Sequence, residues 1–274
     1  MTLHHKTWAW LPWLLCLMAS AVLAQAPEKP FNPVEGQAGK DVVWVPTPAE
    51  LTERMLDLAQ ATPQDFVIDL GSGDGRNVIA AARRGARALG VEFNPDMVEL
   101  SRRNAAQAGV ADKAQFIEGD MFAADISQAT VMALFLLPDN LRKLTAKFLA
   151  LKPGTRIVAN TFGIEGWKPD DTYRVGDTCY AWCVAMLYIV PARVAGVWKM
   201  EGARSELLSI EQEFQVLSGA LASGGNKTTI ANGKLRGDWI SFTVGKTLYE
   251  GRVNGNTIEG IVQGGGNWKA TRQQ

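Results

Sequence analysis

The sequence predicts an α/β protein with a doubly wound, mostly parallel sheet, followed by a small C-terminal antiparallel β unit. Strand-like and helix-like apolar patterns alternate through the middle of the chain, and a glycine-rich turn follows the first strand. The last part of the chain is rich in glycine and lacks helical periodicity. With 274 residues, 47% of them hydrophobic, the chain is long enough for a packed α/β domain with an appendage.

The alternating segments begin after a first helix. From Pro48 onward apolar residues recur at helical spacing, and this helix is expected to end before Pro63. The segments that follow, in order, are FVIDL, RNVIAAARRGA, ARALGVEF, PDMVELSRRNAAQAG, AQFIEGD, ATVMALFLL, PDNLRKLTAKFLALKPG and TRIVANTF. The short apolar runs are predicted strands and the longer runs are predicted helices, which together indicate a parallel sheet covered by helices.

The pattern changes beyond Trp167, where the long helices cease. CYAWCVAMLYIV and ARVAGVWKME are strand-like and are expected to form an antiparallel pair that closes the sheet. Asn232-Gly233 and Asn254-Gly255 lie between strand-like runs and predict two hairpins. The expected organisation is a signal peptide at residues 1–24, a linker at 25–40, the main domain at 41–200, and a small β domain or extension at 201–274.

The first segment has the features of an export signal. Lys6 precedes an apolar run from Trp8 to Ala24, and Val22 and Ala24 have the spacing that signal peptidase requires. Cleavage after Ala24 and a periplasmic location are therefore expected. The alternative is an uncleaved inner-membrane anchor, because the run is about long enough to span a bilayer thinly. Contact with a membrane is expected only in that case.

Charge and histidine content exclude several classes of function. The 28 Lys and Arg residues equal the 28 Asp and Glu residues, which argues against duplex nucleic acid as a partner. His4 and His5 are the only histidines and both lie in the predicted signal peptide, so the mature chain would contain none. A histidine base, a Ser-His triad and a zinc site are therefore poor hypotheses, and no metal is expected.

Two cysteines remain after the signal peptide, Cys179 and Cys183. If their segment is a strand, four residues span about 13 Å, which exceeds the disulfide limit of roughly 7 Å between Cα atoms. They are therefore expected to be packing thiols, although a helical turn at this place would reverse that conclusion.

The glycine-rich turn reads Asp69-Leu-Gly71-Ser-Gly73-Asp-Gly75. Glycines in such a turn let the backbone approach a ligand, and the next helix presents free N–H groups to it. The dinucleotide fingerprint would need glycine where Arg76 stands, so a nicotinamide cofactor is less favoured. A structural interpretation is also open, in which Asp69 bonds the turn and the glycines relieve backbone strain.

Acidic residues end the next two strands. Glu92 is placed to accept both hydroxyl groups of a ribose, and Asp120 could accept from an adenine amino group. Phe93 and Met121 follow these acids and could cover the adenine ring, although apolar residues after strands are commonly part of the core. Asp69, Gly71 and Gly73 complete the predicted set of cofactor-binding residues.

These motifs resemble those of the class I S-adenosylmethionine-dependent methyltransferases over about residues 44 to 200. VIDLGSGDG, GVEFNP and EGDM match the family in the right order. VPTPAE, FLLPDN and ANTFGIEGWKPD are further similar to the protein lysine methyltransferases related to the ATP synthase c-subunit enzyme and to uncharacterised bacterial relatives. The resemblance implies S-adenosyl-L-methionine as cofactor and a possible protein acceptor, with Val45, Pro46 and Thr47 helping to close the cofactor site.

The resemblance also directs attention to the end of the fourth strand. LFLLPDN stands there instead of the Asn-Pro-Pro-Tyr of the base and amide N-methyltransferases, which makes methylation of nucleic-acid bases a poor expectation. Asp139 and Asn140 are weak candidates for positioning the acceptor, and Trp167 is a candidate for lining its entrance or for packing. No catalytic base is assigned. The alternative function is a noncatalytic exported protein that keeps a nucleoside pocket for binding or interaction.

Overall fold

A seven-stranded sheet forms the centre of the protein. The computed structural model describes residues 1–2, 31–176, 179–201 and 206–273, so the predicted signal peptide lies almost entirely outside the described residues. The strands of the sheet are β1 (Phe66–Leu70), β2 (Arg87–Glu92), β3 (Ala114–Glu118), β4 (Val131–Leu134), β5 (Arg156–Asn160), β6 (Asp171–Arg174) and β7 (Val184–Ile189). Their order across the sheet is β3-β2-β1-β4-β5-β7-β6, with β1 to β5 parallel.

Helices cover both faces of this sheet, which confirms the predicted doubly wound architecture. They are α1 (Ala49–Leu58), α2 (Arg76–Arg83), α3 (Pro95–Gln107) and α4 (Pro138–Phe148). Val67 belongs to the core beneath the first three helices, and its neighbour Ile68 belongs to the core beneath α4. Because alternate strand residues point to opposite faces, a strand covered on both sides is apolar throughout.

A closed antiparallel barrel follows the sheet. Its strands are β8 (Gly196–Met200), β9 (Glu206–Glu213), β10 (Val216–Ser223), β11 (Asn226–Arg236), β12 (Trp239–Val244), β13 (Thr247–Asn254), β14 (Thr257–Val262) and β15 (Asn267–Arg272). Trp198 and Phe242 are fully buried inside it among aliphatic side chains. A side-chain core of this kind fills a small barrel, and closure leaves no sheet edge unpaired.

The structure corrects the expected partner of the segment around Trp198. Strand β8 does not pair with β7; it joins the barrel between β15 and β9, five residues before the expected boundary at residue 201. Instead, β7 runs antiparallel to both β5 and β6. Trp198 accounts for this, because its indole donates to the Val194 carbonyl while its ring is buried in the barrel core.

One of the two predicted hairpins is correct. Asn254-Gly255 connects β13 to β14, with Asn254 opposite Thr257. Asn232-Gly233 is not a hairpin turn; it lies inside β11, where the pairing with β12 shifts register between Ala231 and Lys234. Asn232 has a φ of +53°, which is the backbone conformation of a bulge as well as of a turn. The dipeptide alone does not distinguish the two structures.

The barrel packs against the end of the sheet through an aromatic stack. Trp167 is buried, and its ring lies 5.3 Å from that of Phe214 in the turn between β9 and β10. The Gly237 carbonyl of the barrel accepts from the Ala192 amide at 2.7 Å. Within the part of the chain that the structure describes, no helix is long and apolar enough to cross a membrane.

Replacing Phe214 with alanine tests the contact between barrel and sheet. The change removes the ring stacked on Trp167 and is expected to lower the free energy of unfolding by about 2 kcal/mol. Val216→Ala is the matched control, because Val216 begins the adjacent strand, is exposed, and should cost less than about 0.5 kcal/mol. Urea denaturation measures both values, and equal effects would show that the stack does not stabilise the fold.

Candidate cofactor site

A cavity opens at the carboxyl ends of β1, β2 and β3, where the strand order reverses between β1 and β4. This is the place where open α/β sheets bind ligands. The cavity measures about 870 Å³, including solvent at its mouth. All the predicted cofactor-binding residues line it: Asp69, Gly71, Gly73, Glu92, Phe93, Asp120 and Met121. The residues that were predicted as one set from the sequence, at the ends of three different strands, therefore lie around a single cavity.

The turn after β1 needs glycine at two positions. Gly73 has a φ of +54°, and a Cβ atom there would lie 2.7 Å from the Nε1 atom of Trp44. Gly75 has a φ of +83°, and a Cβ atom there would lie 2.7 Å from the ring of Phe116. Both positions combine the left-handed conformation with close packing. A neighbouring ring consequently packs directly against the backbone of the turn at each of these positions, where only glycine leaves room for it.

Glu92 connects the end of β2 to this turn. Its Oε2 atom accepts from the Gly73 amide at 2.9 Å, and its Oε1 atom accepts from the Asn94 amide at 3.0 Å. A carboxylate has further acceptor positions on both oxygens. Glu92 is thus held in place by the backbone and can still accept two hydroxyl groups from a ligand in the cavity.

Asp69 is a buried carboxylate with few partners. Asn77 Nδ2 donates to it at 3.1 Å. Burial raises the pKa of Asp69 well above its ordinary value, and the nearby charges of Glu92 and Asp74 raise it further. Ser72 is also a lining residue, but its hydroxyl is buried beside Gly90 and has no hydrogen-bond partner among the described residues. The Asp69 carboxylate therefore suits a polar ligand that carries donors and positive charge.

Asp120 faces the cavity in an ion pair. Its Oδ2 atom lies 2.6 Å from Lys40 Nζ, and its Oδ1 atom accepts from the Phe122 amide at 2.8 Å. The hydrogen bond from Lys40 lowers the pKa of Asp120, and the Phe122 amide acts in the same direction. Lys40 also lies 4.6 Å from the centre of the Phe93 ring. Lys40 belongs to the expected linker, so the folded body begins before Asp41.

The two apolar residues of the predicted set differ in their surroundings. Phe93 is half exposed at the mouth of the cavity, where a flat ligand could stack on it. Met121 is 8% exposed and belongs to the core beneath α4 while also lining the cavity. Phe93 is therefore accessible for stacking on a flat ring in the cavity. Met121 packs in the core and also forms part of the cavity wall.

The segment before α1 closes one side of the cavity, as the resemblance implied for Val45, Pro46 and Thr47. Arg76 holds it there, because its Nη1 atom donates to the Thr47 carbonyl at 2.6 Å while Nη2 pairs with Asp74 at 2.6 Å. Arg76 stands where the dinucleotide fingerprint has glycine. Its role was missed from the sequence, although its departure from that fingerprint was the available signal.

A second cavity of about 400 Å³, including solvent at its opening, adjoins the first, and we call it the aromatic groove. Its lining consists of Val42, Val43, Val45, Phe135, Leu136, Leu137, Phe162 and Trp182. The ring of Trp182 lies 5.4 Å from that of Phe135 and 5.8 Å from that of Phe162. Phe135 lines both cavities, as do Val42, Val43 and Val45, so the groove and the cofactor cavity meet between the end of β4 and the segment before α1.

The residues proposed for the acceptor site lie elsewhere. Asp139 is exposed and pairs with Arg142, and Asn140 is buried with its Nδ2 atom donating to the Asp41 carbonyl. Trp167 packs in the contact with the barrel, which settles its open interpretation in favour of packing. The aromatic groove was not identified from the sequence, because its three rings come from positions far apart in the chain.

Cys179 and Cys183 form a disulfide, which corrects the expectation of free thiols. The expectation assumed an extended strand from one cysteine to the other. Strand β7 begins only at Val184, and the chain before it turns, with a φ of +59° at Trp182. The two Cα atoms are consequently 5.8 Å apart, within the range that a disulfide requires.

Comparison of the sequence with known proteins identifies the family to which the chain belongs. Residues 69–171 match the ANTKMT methyltransferase domain. A protein-lysine N-methyltransferase of Saccharolobus islandicus (strain REY15A) is 41% identical over 139 residues, which cover 50% of this chain and 86% of that protein. The chain belongs to the ANTKMT methyltransferase family. The alternative of a noncatalytic binding protein is set aside on this ground.

Two further relatives show how far the similarity extends. The mouse ATP synthase c-subunit lysine N-methyltransferase is 40% identical over 118 residues, and the chain covers about half (48%) of its length. The crystal structure of an RNA methyltransferase from Salinibacter ruber with S-adenosyl-L-homocysteine is 44% identical, with a TM-score of 0.51. It covers 55% of this chain and 96% of that one. This ANTKMT family member is an S-adenosylmethionine-dependent methyltransferase.

Glu92→Ala tests whether the carboxylate at the end of β2 binds the cofactor. The change should weaken S-adenosylmethionine binding by about 1 to 3 kcal/mol, because it leaves ribose hydroxyls without an acceptor. Glu118→Ala is the control, since Glu118 pairs with Glu92 across the strands but is exposed and does not line the cavity. Calorimetric titration measures both affinities. An unchanged affinity for Glu92→Ala would remove it from the site.

Asp69→Asn tests the cost of the buried carboxylate. Below its unfolded pKa of about 3.9 the carboxyl is protonated in both states, so the substitution should be neutral. As the pH rises above that value the folded state resists ionisation, and the variant should become more stable than the wild type by about 1 to 2 kcal/mol. Asp112→Asn, at an exposed position, should show no such divergence. Urea denaturation between about pH 3 and pH 7 measures the free energies of unfolding. If those of Asp69→Asn and the wild type change in parallel with pH, burial does not destabilise the ionised carboxylate.

Proposed function

We propose that the protein is a protein-lysine N-methyltransferase that acts after export. The observation that carries the choice of lysine is the aromatic groove beside the cofactor cavity. A lysine side chain has a long apolar stem and a cationic head, and the groove offers aliphatic walls and three aromatic rings to this shape. The lysine-directed relatives from Saccharolobus islandicus and mouse support the same acceptor.

The lining of the groove favours lysine over RNA, the acceptor named for the Salinibacter ruber enzyme. A nucleobase presents an edge that needs hydrogen-bond partners, and its phosphates need cations. The described residues that line the groove include no Lys or Arg, and the indole of Trp182 is their one polar side-chain group. The proposal therefore retains the sequence-based prediction that nucleic acid is not a partner.

The cofactor would lie in the larger cavity on the predicted residues. Glu92 would accept the ribose hydroxyls, Asp120 the adenine amino group, and Phe93 would stack on the adenine ring. Gly71 and Gly73, both with a left-handed backbone, would form the part of the cavity wall beside the ribose and the methionine portion. Asp69, poorly solvated and short of donors, would face the positively charged part of the cofactor.

S-adenosyl-L-methionine, when bound, would supply a methyl group on a sulfonium: a nucleophile that bonds to the methyl carbon breaks its bond to sulfur, and S-adenosylhomocysteine leaves as a neutral thioether. The residues of the groove then have to deliver a neutral amine in line with it. Burial among apolar walls can lower the pKa of a lysine by several units, whereas an aromatic face contributes only about 0.5 to 2 kcal/mol toward the cation. Desolvation is the larger effect, so the groove favours loss of the proton to water before transfer.

Export is supported by two features of the chain. The first is the predicted signal peptide with cleavage after Ala24. If this segment is instead an uncleaved inner-membrane anchor and the domain is translocated, the domain lies on the same, periplasmic side of the membrane. The second is the Cys179–Cys183 disulfide, since such bonds persist in oxidising compartments and are rare in the cytosol. Mass measurement of the mature N-terminus distinguishes cleavage from anchoring.

Methyl transfer to envelope material tests the proposed acceptor. Purified protein and S-adenosylmethionine with a labelled methyl group are incubated with separate protein and RNA fractions of a cell-envelope extract. We expect label in the protein fraction, recovered as methyl-lysine after acid hydrolysis, and none above background in RNA. Phe135→Ala should reduce incorporation about tenfold or more by removing the aromatic ring that lines both cavities. Label in RNA alone would overturn the assignment.

A further inference from the structure

Trp182 occupies its place in the aromatic groove within a short covalent loop. It lies between Cys179 and Cys183, which are bonded to each other. Its φ of +59° is in the left-handed region, which is strained for a bulky side chain. An aromatic residue keeps such a backbone only where the surrounding structure holds it. The disulfide is the strongest restraint on this loop.

The loop is attached to the sheet on the side where the groove lies. The Cys183 carbonyl accepts from the Val175 amide at 2.9 Å, and the carbonyl of the next residue, Val184, accepts from the Thr161 amide at 2.7 Å. Thr161 immediately precedes Phe162, the ring that lies 5.8 Å from Trp182. Cys183 is therefore held beside Phe162 by these backbone hydrogen bonds. The disulfide attaches the less buried Cys179, at the other end of the loop, to it.

We propose that the Cys179–Cys183 disulfide positions Trp182 as the third aromatic wall of an acceptor subsite for an alkylammonium side chain. This inference rests on the proposed lysine acceptor and adds the residues that select it. Trp182 contacts the acceptor through its ring face, and the two cysteines are positioning residues. The subsite is complete only in the oxidised protein.

Reduction should affect the acceptor without affecting the cofactor. A dithiol reductant delivers two electrons and two protons, so that Cys179 and Cys183 become thiols and the reductant becomes a disulfide. The loop can then leave the strained conformation and carry the Trp182 ring away from Phe135 and Phe162. None of the described residues from 176 to 183 lines the cofactor cavity, so the affinity for S-adenosylmethionine should be unchanged.

The experiment uses the full-length chain purified without thiol reductant and Nα-acetyl-lysine methylamide as the acceptor probe. Trp182→Ala and the double substitution Cys179→Ser with Cys183→Ser should raise the KM for the probe about tenfold, with S-adenosylmethionine affinity within about twofold of the wild type. Trp182→Phe should recover most of the loss, because it restores an aromatic face. Trp239→Ala removes a partly exposed tryptophan of the barrel and should change neither value.

Reduction of the wild-type chain by a dithiol provides the same comparison if the cysteine variant does not fold. Equal KM values for oxidised and reduced protein, both active on the probe, would overturn the positioning role and leave the lysine acceptor standing. An oxidised protein that binds S-adenosylmethionine but neither binds nor methylates the probe would overturn the subsite and the lysine acceptor together. A loss of cofactor affinity equal to the loss for the probe would show a general structural role and also overturn the inference.

Discussion

The structure depends on the contact between the turn after β1 and the end of β2. The Gly71 amide donates to the Val91 carbonyl at 2.8 Å, and the Gly73 amide donates to Glu92 at 2.9 Å. These bonds require a turn whose backbone lies close to the neighbouring strand, which only glycine at its tight positions allows. They fix Glu92 beside the turn, and the cofactor cavity forms between them. The segment before α1 and the aromatic groove are arranged around that cavity.

The two cavities divide the chemistry of the reaction. The cofactor cavity is lined by carboxylates and by the glycine-rich turn, so it can bind a polar nucleoside with a charged tail. The groove is apolar and aromatic, so it removes water from whatever enters. Phe135 is a wall of both. A methyl group passing between a sulfonium and an amine would cross at this residue, and among the described residues no cluster of potential metal ligands is present to assist.

The sheet and the cofactor cavity could be predicted from the sequence because their signals are local. Asp69, Glu92 and Asp120 each lie at or next to the end of a predicted strand, and the carboxyl ends of parallel strands lie at the same edge of the sheet. The groove could not be predicted, since Phe135, Phe162 and Trp182 meet only after the sheet has formed. The disulfide and the Asn232 bulge were not predicted because each local sequence is compatible with two backbone conformations. Cys179 and Cys183 were placed on an extended strand instead of a turn, and Asn232-Gly233 was placed in a hairpin turn instead of a bulge. Trp198 shows how tertiary burial then decided the partner of a strand.

The most direct test of this account is a crystal structure of the protein with S-adenosyl-L-homocysteine. We expect the ribose hydroxyls to contact Glu92, the adenine to lie beside Phe93 and Asp120, and the sulfur atom to lie next to Phe135 and face the aromatic groove. A ligand whose sulfur faces away from Phe135, or whose ribose lies far from Glu92, would contradict the account.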